Sequence, residues 1–242
     1  CAQVCDLVLL VAQYGNTRRK IIREAVKTLN RTGTQIAGAV LNQVDLVDVD
    51  AIDGSSKLPL SAAAAAGSVQ VMTALLDASA DIEGTDTTGR TPIMYAAQSK
   101  NVETVTVLLD AGANVQARDQ IGNTALCWAS AFGDAATVSE LLDAGSSVDV
   151  AGAATGFTPL IWAAGFGEPG SVKVLVEADA NLEARDAFEK ATPLMYAART
   201  NSKENCTVLI EAGADLEARD AVGKTVLLMA ASNGGADADM IQ

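Results

Sequence analysis

The heptapeptide TPIMYAA, at residues 91–97, decides the fold because it returns at a nearly constant interval along the chain. Close copies are TPLIWAA at 158–164 and TPLMYAA at 192–198, and looser copies are TALCWA at 124–129 and TVLLMAA at 225–231. The first threonines of successive copies lie 33, 34, 34 and 33 residues apart. A period of this length predicts a solenoid of stacked units that share one continuous core.

Each unit is predicted to contain two helices and a turn. Threonine followed by proline is typical of a helix N-terminus, because the threonine oxygen caps a free amide and proline at the first helical position loses no hydrogen bond. The phrase LLDAGA at 108–113, which recurs as LLDAG at 141–145 and LIEAGA at 209–214, predicts a second helix that ends at a left-handed glycine. The phrase ARD, at 117–119, 184–186 and 218–220, introduces the turn that links units.

These motifs resemble the ankyrin repeat, a turn and two helices of about 33 residues. The resemblance implies a mainly α fold in which about six helix–turn–helix units, linked by β-hairpins, form an ankyrin-repeat domain over residues 58–242. The first unit begins near Leu58, and the sixth, which begins at Asp220, is expected to lack most of its second helix. The resemblance also implies that the domain binds another protein through its concave face and hairpin tips.

The chain departs from the family pattern in two ways. The family usually carries histidine three residues after the capping threonine, but the equivalent residues here are Met94, Cys127, Ile161, Met195 and Leu228. We therefore expect apolar packing in place of the usual hydrogen bond between hairpin and helix. The linkers before Thr158 and Thr192 carry one extra residue each, which predicts larger hairpins there.

Residues 1–45 do not fit the repeat. A buried strand is predicted at Asp6–Val11, an amphipathic helix at Thr17–Arg31 and a second buried strand at Ile36–Asn42. This order predicts a βαβ fragment of a parallel sheet, followed by a linker at 46–57. Because two strands alone expose edges and apolar faces, the fragment must pack on the first repeat, on a neighbouring chain or on upstream sequence. The alternative is that the chain as a whole is a composite of unrelated sequences.

The N-terminal segment is similar to the late portion of P-loop ATPases of the polysaccharide-biosynthesis tyrosine-kinase and partition-ATPase type. The motifs that carry this resemblance are DLVLLV at 6–11, YGNT at 14–17 and GAVLNQVD at 38–45. The resemblance implies that Asn42 lies near an adenine. The glycine-rich loop with lysine that holds phosphates is absent from the sequence, so no phosphoryl transfer is assigned to this chain.

Composition argues against catalysis. The sequence contains no histidine, which removes the Ser-His-Asp and Cys-His classes of enzyme and most transition-metal sites. No two carboxylates are placed for acid/base work, and we expect no cofactor or metal. The four cysteines, at 1, 5, 127 and 206, fit neither a disulfide framework nor a zinc site, which favours the cytoplasm or another reducing compartment.

Charge and hydropathy limit the partners. Residues 58–242 hold ten Lys and Arg against twenty-four Asp and Glu, so nucleic acid is excluded as a partner by repulsion. No apolar run approaches the ~20 residues of a membrane span, so membrane insertion is not expected. The remaining class of partner is another protein.

Two sets of aromatic residues are candidates for the site. Tyr95, Trp128, Trp162 and Tyr196 occupy one position of the repeat and are predicted to be core. The proposed protein-binding residues are Ile121, Phe132, Phe157, Phe166 and Phe188, all in the third to fifth units, and the resemblance to ankyrin proteins implies that such positions line the concave binding face. The leading hypothesis is a non-enzymatic protein-binding adaptor or structural subunit. The alternative is the C-terminal remnant of a nucleotide-binding enzyme fused to an ankyrin targeting domain.

Overall fold

The computed structural model describes residues 58–232, and within that range the chain is a row of α-helices. The predicted βαβ fragment at 1–45 and the linker at 46–57 lie outside the described residues. Residues 58–232 contain eleven helices: α1 Pro59–Ala65, α2 Val69–Asp77, α3 Pro92–Ala96, α4 Val102–Asp110, α5 Ala125–Phe132, α6 Ala135–Asp143, α7 Pro159–Phe166, α8 Pro169–Glu177, α9 Pro193–Arg199, α10 Lys203–Glu211 and α11 Val226–Ser232.

The helix starts follow the predicted signals in part. Proline opens α1, α3, α7 and α9, as expected for a residue that has no amide to satisfy. Thr158 and Thr192 accept hydrogen bonds from the amides three residues later, which confirms the predicted caps. The side chains of Thr91 and Thr124 make no such bond. The start of each first helix therefore does not depend on a threonine cap, and the cap strengthens the helix start only in some units.

The helices form two layers, one of first helices (α1, α3, α5, α7, α9, α11) and one of second helices. The alanine pairs of α1, α3, α7 and α9 are buried, as predicted for close helix approach, whereas in α11 Ala230 is buried and Ala231 is exposed. In each second helix from α4 to α10, one leucine is completely buried, and these are Leu108, Leu141, Leu175 and Leu209. The residue that follows each of them is partly or largely exposed, so the first member of the pair fills the core and the second, such as Leu109 or Leu142, packs against its edge.

The prediction of β-hairpins between units is wrong for the described residues, because 58–232 contain no strand. Each linker is closed by a backbone hydrogen bond between its ends, such as that from the Asp119 amide to the Asn123 carbonyl at 3.0 Å. Neighbouring turns share one further bond, such as that from the Gln120 amide to the Thr88 carbonyl at 3.0 Å. No ladder forms because aspartate side chains take up the remaining turn amides, as in the bonds from Ile121 and Asn123 to Asp119. We call these linkers hairpin turns.

The described residues contain five helix pairs and one further first helix, α11. The second helix of a sixth unit would follow Ser232, outside the described residues, so the count of about six units stays a prediction.

The prediction of larger linkers is confirmed. The turn before Thr158 closes from Gly152 to Phe157 and the next from Asp186 to Ala191, one residue more than in the other described turns.

Candidate functional site

A row of aromatic rings crosses the first helices, at the fourth residue after each capping position. Tyr95, Trp128 and Tyr196 are buried, with 6%, 7% and 4% of their surface exposed, as predicted for core residues. Trp162 differs, because its side chain is only half-buried. The centroids of Trp128 and Trp162 lie 6.4 Å apart with nearly parallel planes, so the row is continuous between the third and fourth units.

Hairpin aspartates hold the polar ends of these rings. The hydroxyl of Tyr95 donates to Asp86 Oδ2 at 2.5 Å, and Nε1 of Trp128 donates to Asp119 Oδ2 at 3.1 Å. Burial, and then the hydrogen bond to Asp86, raises the pKa of Tyr95 to about 12. Each aspartate thus ties its turn to the ring of its own unit. The sequence carries this signal as an aspartate five or six residues before the capping threonine, although the ARD phrase by itself indicated only a turn.

The fourth unit breaks this pattern. Gly152 stands where the other hairpin turns have aspartate, so no carboxylate of that turn is available to Trp162. Within residues 58–232, the buried Nε1 atom of Trp162 has no hydrogen-bond partner. Asn123, which is 1% exposed, likewise has no partner for its side-chain amide in the described part of the chain. A Cβ built at Gly152 would lie 2.8 Å from Asn123 Oδ1.

Two of the predicted phenylalanines extend the ring row toward solvent. Phe132 stacks on Trp128 with centroids 5.9 Å apart, and Phe166 packs against Trp162 at 5.5 Å. Phe132 is 46% exposed and Phe166 55% exposed. Each is the last residue of its helix, one turn beyond the ring below it. We call the surface formed by Trp128, Phe132, Trp162 and Phe166 the aromatic patch.

The other predicted site residues lie around this patch without all joining it. Phe157 is partly buried and meets Trp162 and Tyr196 edge-on, at 4.9 and 5.0 Å, so it packs against the core and supports the Trp162 ring of the patch. Ile121 is 40% exposed in the turn of the third unit. Phe188 is 67% exposed and lines a separate pocket. The sequence therefore predicted one surface where the structure has a patch, a supporting ring and two outlying residues.

Guanidinium groups stack on the ring row, which sequence reasoning missed. The Cζ atom of Arg90 lies 3.6 Å from the Trp128 ring centroid and 5.9 Å from that of Tyr95. Arg199 lies over Tyr196 at 4.3 Å and pairs with Glu189 at 2.7 Å. Cation–π contacts of this kind fix the rings and place positive charge in an otherwise acidic domain.

A pocket of about 340 Å³ lies where the row reaches the last described helix. Its lining combines apolar and charged residues: Phe188, Glu189, Arg199, Asp220, Ala221, Val222, Lys224 and Met229. Met229 is the fourth residue after Thr225, so it occupies the row position that aromatic residues fill in the preceding four units.

The described residues contain no candidate metal site and no helix that could span a membrane. Within 58–232, no cluster of three or more cysteine, aspartate and glutamate side chains is placed to hold a metal ion. Cys127 and Cys206 are free and buried, and burial raises the pKa of Cys206 to about 11, so both resemble small core residues, as predicted. No helix in this range has the length and apolar character needed to cross a membrane.

Comparison with known families agrees with the repeat. A family model for ankyrin repeats (3 copies) matches residues 10–119, 115–186 and 171–241. The first match begins inside the segment that we predicted to be a βαβ fragment, and no comparison supports the resemblance of that segment to P-loop ATPases. No curated protein matches the chain.

Proposed function

Because the chain belongs to the ankyrin-repeat family, we propose that it is a non-enzymatic adaptor or structural subunit that binds another protein through the aromatic patch. Ankyrin repeats are generally protein-interaction modules and are typically not catalytic. The proposal adds the surface that this chain uses, on the first helices of the third and fourth units.

The observation that carries the proposal is the exposure of Phe132 and Phe166 on top of a stacked tryptophan pair. Aromatic side chains that become buried at the centre of an interface dominate binding energies, at ~2 kcal/mol or more each. Here the rings below hold the exposed rings in place, since Phe132 rests on Trp128 and Phe166 on Trp162. A surface that is ordered before binding loses little conformational entropy when a partner docks.

The patch is surrounded by charges of both signs, and the acidic excess of the whole domain favours a partner that is basic around an apolar centre. Asp134 and Glu168 lie two residues beyond Phe132 and Phe166 and are the N-cap residues of the second helices of the same units. Lys100, from the second unit, pairs with Glu168 across the third unit. The excess of acidic residues over 58–242 accelerates the approach of a basic partner by long-range attraction.

The test is the double substitution Phe132→Ala with Phe166→Ala in the full chain. Partners are first identified by affinity capture with the unmodified protein, and the dissociation constant of each purified partner is then measured for both proteins. We expect binding to weaken by at least about thirtyfold, which corresponds to roughly 2 kcal/mol. The two rings are half exposed, so their loss costs stability only through the stacking contacts, about 1 kcal/mol each.

A matched control is the pair Ile210→Ala and Leu216→Ala. These residues are 45% and 47% exposed, similar to the two phenylalanines, but Ile210 lies on α10 in the layer of second helices, and Leu216 lies in the linker after it. The control pair should leave binding unchanged. Equal effects of the two pairs on binding would contradict the proposed surface, and collapse of the melting transition in the phenylalanine pair would show that those rings are core.

A further inference from the structure

The last described unit has the turn of an aromatic-bearing unit but lacks the ring. Its turn, Asp220-Ala221-Val222-Gly223-Lys224, has the same length as the turn of the second unit, Asp86-Thr87-Thr88-Gly89-Arg90. Both turns place aspartate first, glycine fourth and a basic residue fifth. The second unit then supplies Tyr95, whereas the last supplies Met229 at the matching position.

The two aspartates are held in the same way. Asp86 Oδ1 accepts from the amides two and four residues later at 2.8 and 2.9 Å. Asp220 Oδ1 accepts from the amides of Val222 and Lys224 at 2.9 and 2.7 Å. The second oxygen of Asp86 accepts from the Tyr95 hydroxyl. Methionine has no such donor, and within the described residues no hydrogen bond reaches Asp220 Oδ2.

The space beside this carboxylate is the pocket described above. Asp220 and Met229, which are 9% and 8% exposed, line it together with Phe188 and Val222, which are 67% and 75% exposed. Arg199 lies over the Tyr196 ring and also lines the pocket. In the second and third units Arg90 contacts the rings of both Tyr95 and Trp128, so this chain already places a guanidinium between successive rings.

We propose that this pocket binds a tyrosine side chain of a partner protein, which supplies in trans the ring that the last unit lacks. The phenol hydroxyl donates to Asp220 Oδ2, and the ring packs on Met229 with its face toward Arg199. The pocket and a tyrosine side chain are complementary. The Asp220 carboxylate can accept a hydrogen bond from the phenol hydroxyl, and the Arg199 guanidinium is attracted to the negative face of the ring. Phenylalanine lacks the donor, and a phosphorylated tyrosine would bring negative charge against Asp220 and Glu189. The inference deepens the proposed protein-binding function, which it presupposes, by naming what the partner presents.

The experiment is a titration of the full chain with N-acetyltyrosinamide, followed by the methyl signals of methionine in NMR spectra. A ring stacked on Met229 shifts its methyl signal through the ring current. Met72, Met94 and Met195 are completely buried and serve as internal references. We expect a saturable shift of Met229 alone among these four. N-acetylphenylalaninamide should bind at least about tenfold more weakly, because it loses a hydrogen bond to a charged group.

Two substitutions test the position. Met229→Tyr places the ring in cis and should abolish the shifts that the probe causes in the amide signals of Val222 and Lys224. Met229→Leu, which adds no donor and keeps a similar volume, should retain them. Absence of a saturable shift, equal affinity for the two amides, or binding that survives Met229→Tyr would overturn the proposal. Tighter binding of N-acetyl-O-phosphotyrosinamide would overturn it too, in favour of a phosphate site at Arg199 and Lys224.

The titration with N-acetyltyrosinamide reports on binding to this pocket only. The protein with Phe132→Ala and Phe166→Ala should bind the tyrosine probe as the unmodified chain does, since neither residue lines the pocket. Failure of the titration therefore leaves the result for the aromatic patch intact, and failure of the patch experiment leaves the titration intact.

Discussion

The indole nitrogen of Trp128 donates to Asp119 Oδ2 at 3.1 Å, and this one bond joins the hairpin turn of the third unit to its first helix. The same carboxylate accepts from the amides of Ile121 and Asn123 at 3.1 and 2.9 Å. Asp119 is only 7% exposed, so its charge is offset by three donors within one unit. This hydrogen bond between Trp128 and Asp119, rather than a pair of β-strands, holds the turn against the layer of first helices.

The first prediction follows from these three bonds. Asp119→Ala should lower the free energy of unfolding by about 2–4 kcal/mol, because it leaves two turn amides and a buried indole nitrogen without an acceptor. Urea denaturation measures the change. Asp110→Ala removes the same charge from an exposed position at the end of α4 and should change stability by less than about 0.5 kcal/mol. Similar values for the two variants would show that the carboxylate contributes by charge alone.

The second prediction concerns two glycines near the aromatic patch. A Cβ at Gly167 would lie 2.2 Å from the Ser130 carbonyl oxygen, so Gly167→Ala must displace backbone and should cost about 2–3 kcal/mol. A Cβ at Gly165 would meet only the Tyr196 side chain, at 3.4 Å, and Gly165 lies inside α7. Gly165→Ala should therefore leave stability unchanged or raise it by up to about 1 kcal/mol. Thermal melts of both variants decide the matter, and the reverse order would contradict the close approach of the third and fourth units.

The third prediction is an alkaline titration. Burial, followed by the neighbouring aspartates Asp86 and Asp186, raises the pKa of Tyr95 and of Tyr196 from 10.0 to about 12. Because the folded pKa lies above the unfolded one, the stability that these phenols contribute is complete below pH 10 and is lost as the pH rises toward 12. Ultraviolet absorbance should show two late phenolate transitions, and Tyr95→Phe and Tyr196→Phe should each remove one. Ionisation of both phenols near pH 10 in the folded protein would refute the assignment.

The fourth prediction uses a left-handed residue after a second helix. Glycines occupy this position after α4, α6 and α10, with φ of 92°, 90° and 94°, but after α8 the residue is Asp179, with φ of 60°. A residue with a Cβ is strained in this region, so Asp179→Gly should raise the free energy of unfolding by about 0.5–1 kcal/mol. Asp179→Ala removes the same charge but keeps the Cβ and should give no gain. The idea fails if the two variants unfold at the same denaturant concentration.

Much of the fold could be read from the sequence by itself. The period of 33 to 34 residues, the Thr-Pro helix starts and the glycines after the second helices determined the order of helices and the repeat family. These signals are local, since a cap, a proline or a left-handed glycine acts within a few residues of its own position. The longer turns before Thr158 and Thr192 were also countable from the sequence, and the structure contains them.

Only the tertiary structure decided which aromatic residues are available to a partner. The same repeat position is 6% exposed at Tyr95 and half-buried at Trp162, although the surrounding motifs are almost identical. The difference arises because the exposure of a ring depends on the turn and on the neighbouring units packed against it, and these contacts join residues about a whole repeat apart. The pocket at Met229 also depends on contacts between units. It is lined by Asp220, Phe188 and Arg199, and Met229 stands at the repeat position where the preceding four units carry an aromatic ring.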